Sequence, residues 1–406
     1  MKSCVIIGIS DSRRQWFVPE VVDVIARGRV FSGGKRHYAI MMPYLPDGAV
    51  WIDITVPLTG VFEQYAEHED IIIFASGDPL FYGFASTVQR ELPQCKVKVY
   101  PSFNSLQMLA HRMCISYQDM HVVSLTGRPW DMFDEALICG YRLIGVLTDR
   151  HNTPHTIIER MLRYGYDNYT MTVGENLGNE HSERVSVYDK DTTYAQPNCI
   201  ILQRTRVRPR PFGIPESEFH LLNGRAKMIT KMPIRLLSLS MLDLHHRNSL
   251  WDIGFCTGSI SVEAKLQFPH IRVTAFEVRP ECKQILQRNA ERFGTPGINA
   301  VTVALPCPYQ DVWGRPDAVF IGGHGGRLKE IVGMVKQVLL PDGCIVFNSV
   351  SEDSRTMFCE AVEAVGMNVT VDTLVAIDGH NPIHIMKGEK APPQPSPKER
   401  EKYTMR

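Results

Sequence analysis

None of the ten cysteines stands in a Cys-x-x-Cys pair, so neither a zinc knuckle nor a redox dithiol is signalled, and reduced thiols are the simplest reading. There is no excess of positive charge either. Lys and Arg number 44, as do Asp and Glu, so the phosphate-neutralising term that dominates nucleic-acid affinity is missing, although a local basic pocket remains open. Long apolar runs are lacking as well. Cys4 to Ile9 is too short for a signal-peptide core and leads straight into Ser-Asp-Ser-Arg-Arg, and no run approaches a membrane span. These absences predict a cytoplasmic protein that partners neither nucleic acid nor membrane. With 44% hydrophobic and 22% charged residues, wholesale disorder, collagen and coiled coil are also excluded.

What is present is a chain of 406 residues, enough for two or three domains at roughly 150 residues each. The segment Arg204 to Pro215, R-T-R-V-R-P-R-P-F-G-I-P, alternates arginine with proline and interrupts any periodic pattern. It divides the chain into a first domain over 1–205, a linker over 206–215 and a second domain over 216–388. The proline-rich, charged tail 389–406 reads as disordered. Before the linker, apolar runs at Cys4–Ile9, Val30–Ser32, Val50–Ile54, Ile71–Ala75, Val97–Tyr100, Val122–Leu125 and Leu143–Leu147 predict a largely parallel sheet. Helical stretches such as Phe84–Glu91 and Pro154–Arg163 separate several of them. Runs at Tyr169–Val173, Arg184–Tyr188 and Cys199–Gln203 have no long helix between them and predict a more antiparallel subdomain. After the linker, strands at Leu250–Ile253, Arg272–Phe276, Ala318–Ile321 and Cys344–Asn348 alternate with helical patterns, the mark of a doubly wound α/β sheet. No internal repeat relates the halves.

The most informative stretch is Leu250-Trp-Asp-Ile-Gly-Phe-Cys-Thr-Gly-Ser-Ile-Ser-Val-Glu263: a strand, a D-x-G-x-x-T-G turn running from Asp252 through Gly254, Cys256 and Thr257 to Gly258, and a helix starting near Ser259. Glycines at 254 and 258 let the backbone turn sharply and approach a ligand, while the helix start presents free N–H groups. Glu277 ends the next strand, 23 residues after Gly254, where the acid of a doubly wound fold commonly meets ribose hydroxyls. Turn and acid point to a nucleoside. The G-x-G-x-x-G that admits a pyrophosphate is not present, its places being held by Gly254, Cys256 and Ser259, which weakens a dinucleotide reading.

This arrangement resembles class I methyltransferases. Phe212-Gly-Ile-Pro-Glu-Ser-Glu-Phe219, Ile229-Thr-Lys-Met-Pro-Ile-Arg235, the stretch through Glu263, and Val319-Phe-Ile-Gly-Gly-His-Gly-Gly326 together resemble, in order, the decarboxylating precorrin methyltransferases of corrin biosynthesis. That resemblance implies S-adenosylmethionine around Thr230, the Asp252–Gly258 loop and Glu277, with Gly322, Gly323, Gly325 and Gly326 facing the substrate. Four departures stand out. Cys256 replaces a usual glycine, Pro233 replaces a glutamate, and the adenine segment is reduced to Ala304-Leu-Pro-Cys-Pro308, where Cys307 aligns with the residue whose backbone meets the base. His324 stands in place of a common serine, either to hydrogen-bond a substrate carboxylate or as a surface loop residue.

Before the linker, Ala75-Ser-Gly-Asp-Pro-Leu-Phe-Tyr-Gly83 follows a strongly apolar strand, with Gly77 and Pro79 fixing a sharp turn around Asp78. By itself this is a common turn. With Gly33-Gly-Lys-Arg-His37, Pro101-Ser-Phe-Asn-Ser105 and Ser124-Leu-Thr-Gly-Arg128, it resembles the tetrapyrrole methylase family, a two-subdomain class III methyltransferase fold, over residues 3 to 205, and in particular its precorrin carbon-5 member. The resemblance implies a cofactor cleft at Gly8, Gly77, Asp78, Pro79, Ser102 and Ser105. It departs at Ser10, where the family's opening G-x-G has its second glycine. Lys35, Arg36 and Arg128 either pair with carboxylates of an acidic macrocycle or are solvated loop charges.

Taken together, the two resemblances imply methylation of a precorrin-6B-type substrate at carbon 5 by the first domain. The second would methylate carbon 15 and decarboxylate the ring C acetate. One S-adenosylmethionine per domain, a tetrapyrrole partner and a homo-oligomer are expected. Asp78 and His324 are the candidate proton donors. His151 and His155 lie four apart, as do His380 and His384, but Pro154 and Pro382 argue against a shared helix face, and no metal site is expected. Two alternatives stay open: a tetrapyrrole methylase fused to an RNA or small-molecule methyltransferase, or one half acting as a non-catalytic cofactor-binding scaffold.

Overall fold

The structure is a computed structural model that describes residues 3–225, 227–376 and 382–390. The tail from residue 391 and His380 lie outside the described residues. Two compact units emerge, one holding the residues up to 129 with 140–160 and 168–207, the other 130–139, 161–167 and the residues from 208.

The chain first runs through β1 (Ser3–Ile9), α1 (Pro19–Arg27), β2 (Val30–Gly33), α2 (Lys35–Met41), β3 (Val50–Asp53), α3 (Thr59–Ala66), β4 (Asp70–Ser76), α4 (Phe84–Glu91) and β5 (Lys96–Tyr100). The five strands are all parallel, in the order β3-β2-β4-β1-β5. Ile71 to Ala75 at the centre are all buried, as a parallel sheet covered on both faces requires. Next come α5 (Ser105–Met113), β6 (His121–Ser124), α6 (Asp131–Cys139), β7 (Leu143–Leu147), α7 (Pro154–Arg163), β8 (Tyr169–Glu175), β9 (Arg184–Val187) and β10 (Asn198–Arg204). Asn104 caps α5 by accepting the Gln107 N–H at 2.9 Å, while the Gln107 side chain returns to the Asn104 N–H.

A second sheet has the order β6-β7-β10-β8-β9, antiparallel except between β6 and β7. It therefore begins earlier than Tyr169: β6 and β7, expected among the parallel strands, belong here. The cause is long-range. The last strand of the sheet, β10, returns between β7 and β8 and sets Ile200 opposite Val146 and Val173, so their apolar runs share one core.

The second unit contains α8 (Met232–Leu242), β11 (Ser249–Ile253), α9 (Ser259–Gln267), β12 (Arg272–Glu277), α10 (Pro280–Phe293), β13 (Ile298–Thr302), β14 (Ala318–Ile321), α11 (Leu328–Val338), β15 (Cys344–Ser349), α12 (Glu352–Ala364), β16 (Met367–Val375) and β17 (Ile383–Lys390). Its sheet has the order β13-β12-β11-β14-β15-β17-β16, parallel except for β17, which runs antiparallel to both neighbours. The doubly wound sheet is as expected, with three strands more than the sequence revealed. In β16, Asn368, Thr370 and Asp372 punctuate the pattern on an edge. In β13, five residues with an asparagine and a threonine give little periodicity. Pro233, the departure noted above, occupies the first turn of α8, where a helix has no use for the missing N–H.

The Arg-Pro segment read as a linker is wired into this unit. Arg210 donates to the Leu266 and Gln267 carbonyls, at 2.6 and 2.9 Å. The Gly213 and Ile214 N–H groups donate to Glu263 at 2.9 and 3.0 Å. Glu263 also accepts from Arg235 Nε at 3.2 Å, both side chains being 0% exposed. Arg235 further donates to the Thr230 carbonyl at 2.8 Å and to the Ile214 carbonyl. Removing one partner of such a pair leaves an uncompensated buried charge. Glu263→Ala should cost about 3–5 kcal/mol, read in urea melts as early loss of the second unit.

Candidate active sites

Each unit has its own cavity, and each cavity opens where loops at the carboxyl ends of adjacent parallel strands meet.

In the first unit, β1 and the turn after β4 press together so closely that a Cβ on Gly8 would lie 1.9 Å from the Gly77 carbonyl oxygen and 2.7 Å from the Ser102 nitrogen. Only glycine permits this contact. The Gly77 N–H donates to the Ile9 carbonyl at 2.8 Å, and the Ser102 N–H donates to the Gly77 carbonyl at 3.2 Å, which ties three loops into one floor. Above it lies a cavity of about 480 Å³, lined by Ser10, Asp11, Arg36, His37, Ser76, Gly77 and Ser105, with Phe74, Phe81, Tyr82 and Phe103 among its apolar walls.

A polar chain runs along one wall. Arg36 pairs with Asp11 at 3.4 Å and donates to Ser76 Oγ at 2.8 Å, while Asn179 donates to the other Asp11 oxygen at 3.1 Å. His37 Nδ1 accepts the Gly34 N–H at 3.2 Å, and its Nε2 lies 2.9 Å from Ser76 Oγ. With Nδ1 accepting, the proton of a neutral ring belongs on Nε2. Burial, then the adjacent Arg36 charge, pushes the His37 pKa down to about 4, so the ring is neutral near pH 7.

Of the first-unit candidates, Arg36, Gly77 and Ser105 line this cavity. Gly8 and Ser102 build its floor. Asp78 accepts the Leu80 N–H at 2.9 Å and so forms the turn that Pro79 continues. Arg128 donates to Ser124 Oγ at 2.9 Å and lies over the Tyr82 ring at 5.0 Å, behind a lining residue. Lys35 is exposed in the first turn of α2. Asp11, His37 and Ser76 went unassigned in the sequence. His37 and Ser76 carried a signal, as the last residue of G-G-K-R-H and the second of A-S-G-D-P.

In the second unit, Gly254 (φ +76°) leaves β11 with its backbone against the loop after β14: a Cβ there would lie 2.6 Å from the Gly323 nitrogen and oxygen. The Gly322 and Gly323 N–H groups both donate to the Ile253 carbonyl, at 2.9 and 3.3 Å. A cavity of about 650 Å³ opens there, lined by Thr230, Asp252, Gly254, Cys256, Thr257, Gly322 and Gly323, with Lys227, Lys231, Arg279 and Asn348. Gly258 (φ +72°) begins α9.

Asp252 is buried, and its Oδ2 accepts from Ser261 N and Oγ at 3.2 and 2.6 Å. Its Oδ1, like the hydroxyl of Thr257, has no partner among the described residues. Burial, with a smaller push from the Glu277 charge, raises the Asp252 pKa to about 7. Glu277 is in the opposite condition. Burial pushes it up, but the Arg279 guanidinium and backbone N–H groups outweigh this and hold its carboxyl below the usual range.

Cys256 has φ +47°, a left-handed conformation that suits glycine and strains a side chain. Gly258, Glu277, Cys307, His324, Gly325 and Gly326 are not among the lining residues, Glu277 lying behind Arg279, which is. His324 Nδ1 accepts the Gly326 N–H at 3.2 Å, its ring packs edge-on to Phe347 at 5.8 Å, and burial pushes its pKa down. Cys307 packs on the hydrophobic core. Lys227, Lys231, Arg279 and Asn348 were missed. Lys231 stood inside the Ile229–Arg235 motif, and Arg279 two residues after Glu277.

Residues 4–189 match the model of the Tetrapyrrole (Corrin/Porphyrin) Methylases, and residues 223–388 that of the Precorrin methyltransferase domain. A precorrin-6Y C(5,15)-methyltransferase (decarboxylating) of Sinorhizobium sp is 29% identical over 367 residues, 87% of this chain and 86% of that protein. A cobalt-precorrin-6B C(15)-methyltransferase (decarboxylating) of Salmonella typhimurium is 37% identical over 133 residues, 33% of this chain and 68% of that protein. The chain belongs to the decarboxylating precorrin methyltransferases. A crystal structure titled precorrin-6Y C5,15-methyltransferase, from Geobacter metallireducens GS-15, is 33% identical and covers 45% of this chain and 98% of its own, with a TM-score of 0.40.

Members of this family are S-adenosylmethionine-dependent C-methyltransferases, and the second cavity suits that cofactor. The unpartnered Asp252 Oδ1 and Thr257 hydroxyl are buried acceptor and donor sites at its wall, and buried polar groups of this kind call for a partner. Among the described residues, no group of three or more His, Cys, Asp or Glu could hold a metal ion, and no helix is long and apolar enough to cross a membrane. His155 lies in α7 with its ring edge-on to Tyr188 and Tyr194 at 5.4 and 5.6 Å, while His151 precedes the helix.

Two outcomes test the second site. Asp252 keeps its proton up to about pH 7 in the folded chain and loses it near its ordinary value, 3.8, when unfolded. Its contribution to ligand-free stability is therefore present at low pH and is lost as the pH rises through about 7. Thermal melts from about pH 5 to about pH 8 should show this decline in the wild type and a flatter profile in Asp252→Asn. Cys256→Gly should relieve the left-handed strain and raise stability by about 1 kcal/mol in urea melts.

Proposed function

We propose that this chain is a two-site enzyme that methylates a precorrin-6B-type macrocycle at carbons 5 and 15 and removes the ring C acetate carboxyl as carbon dioxide. Residues 1–205 would form the carbon-5 domain and 216–388 the carbon-15 and decarboxylating domain, each with its own S-adenosylmethionine. The observation that carries this reading is the pair of separate cavities, each built at parallel strand ends by residues of the motif that its own family model covers.

S-adenosylmethionine, when bound, supplies an electrophilic methyl group on a sulfonium. The chain's task is then to align an electron-rich bridging carbon with that methyl and to keep water out. In the second cavity, Asp252 presents a carboxyl oxygen without a partner among the described residues beside the Gly254 turn, and Phe255, Ile260, Phe320 and Val350 provide apolar wall. Such a wall solvates a carboxylate poorly and so favours its loss, the electrons passing into the conjugated macrocycle. Lys227 and Lys231 line the same cavity and suit the other carboxylates of an acidic substrate. In the first cavity Arg36 would have that role, with neutral His37 and Ser76 beside it. Asp78 and His324 are each held in a local turn and line neither cavity, so no proton transfer is assigned to them.

Anaerobic incubation of the purified chain with S-adenosylmethionine and precorrin-6B, or its cobalt form, should yield a macrocycle with two added methyls and without one carbon dioxide, read by mass spectrometry. Gly8→Ala, which forces a Cβ onto the Gly77 carbonyl, should remove the carbon-5 methyl while methylation at carbon 15 and decarboxylation continue. No mass change with either substrate overturns the proposal. Loss of both methyls in Gly8→Ala with the fold intact overturns the assignment of one reaction to each domain.

A further inference from the structure

Glu277 is more fully satisfied than a ligand-binding acid should be. Its Oε1 accepts from Val278 N at 2.9 Å, Arg279 N at 3.2 Å and Arg279 Nε at 3.0 Å. Its Oε2 accepts from Cys256 N at 3.1 Å and Arg279 Nη2 at 2.8 Å. A carboxylate offers about four lone-pair sites, and these five donors saturate it. The parallel bonds from Nε and Nη2 span both oxygens along one edge, the fork geometry that a guanidinium favours. A vicinal diol seeking both oxygens needs that same edge. Ribose and Arg279 therefore compete for one face of Glu277.

What becomes of a displaced Arg279 is set by its surroundings. The side chain is 24% exposed and lines the cavity with Lys227 and Lys231. Its remaining Nη1 lies 3.6 Å from Met228 Sδ, on the wall that carries both lysines. The guanidinium stays charged, so once parted from Glu277 it becomes a third cation in a cavity that already holds two. We infer that Arg279 is a substrate-positioning residue that holds Glu277 before the cofactor binds and moves to a carboxylate of the macrocycle when the cofactor ribose takes Glu277. This rests on Glu277 being the ribose acid. It makes the two ligands help each other. Either one alone must leave a charge of the Glu277–Arg279 pair without its partner or work against the pair, and both together satisfy every charge. Coupling of this kind is reciprocal.

The test is isothermal titration of the full-length chain with S-adenosylhomocysteine, in the presence and absence of uroporphyrin as a polycarboxylate probe. Glu277→Ala identifies the share of the isotherm that belongs to this site. In Arg279→Gln, S-adenosylhomocysteine should bind that site about tenfold more tightly, since nothing has to be displaced. The enhancement by uroporphyrin seen in the wild type should be lost. Equal or weaker binding in Arg279→Gln, or enhancement that survives the substitution, overturns the inference. If Glu277→Ala leaves the isotherm unchanged, the ribose reading of Glu277 fails instead, so the two failures are distinguishable.

Discussion

A single steric constraint recurs in both units: two loops at the carboxyl ends of neighbouring parallel strands meet with no room for a Cβ between them. Gly8 presses on Gly77, and Gly254 presses on Gly323. In each case the contact brings backbone groups to the cavity floor and leaves the space above free of side chains from that floor. The topologies otherwise differ. One floor lies across a parallel five-stranded sheet, and the other belongs to a seven-stranded sheet with a reversed strand. The shared device is local, and it operates at the place where open α/β sheets bind ligands.

Charge is distributed unevenly around these floors. Beside the second cavity two acids stand close enough to influence each other, yet one is oversupplied with donors and the other lacks them on one oxygen among the described residues. The satisfied acid is held ionised, while the starved acid keeps its proton to near neutrality. In the first cavity the same principle gives a neutral imidazole between an arginine and a serine. Burial alone would discharge most of these groups. The specific neighbours decide which remain charged.

Much of this was legible in the sequence, and the part that was not has a physical cause. The D-x-G-x-x-T-G turn and the G-D-P turn announce themselves because tight turns restrict residue types locally. The strands β11, β12, β14 and β15 announce themselves by apolar runs. The sheet boundary after β5 did not, because β10 decides it from more than fifty residues away by pairing with β7. Arg279, Lys227, Lys231 and Asp11 escaped notice because a charged residue on a cavity wall looks in sequence like any solvated charge. His324 and Asp78 stand in conspicuous motifs, but their polar atoms are used within their own turns. A motif marks where the backbone must be special, and it does not say which side chain faces the ligand.

The wiring of the Arg-Pro segment bears on how this protein can be cut. Its arginines and prolines suggest a dispensable spacer, yet Arg210 and the Gly213–Ile214 amides hold α9 and the buried Glu263–Arg235 pair. Arg235 in turn holds the carbonyl of Thr230, a residue on the cavity wall. A gene fragment that starts at the first residue of the precorrin methyltransferase match would discard Arg210 and the Gly213–Ile214 amides and leave Glu263 with Arg235 as its remaining partner among those named. An expression boundary placed upstream of Arg210 keeps them.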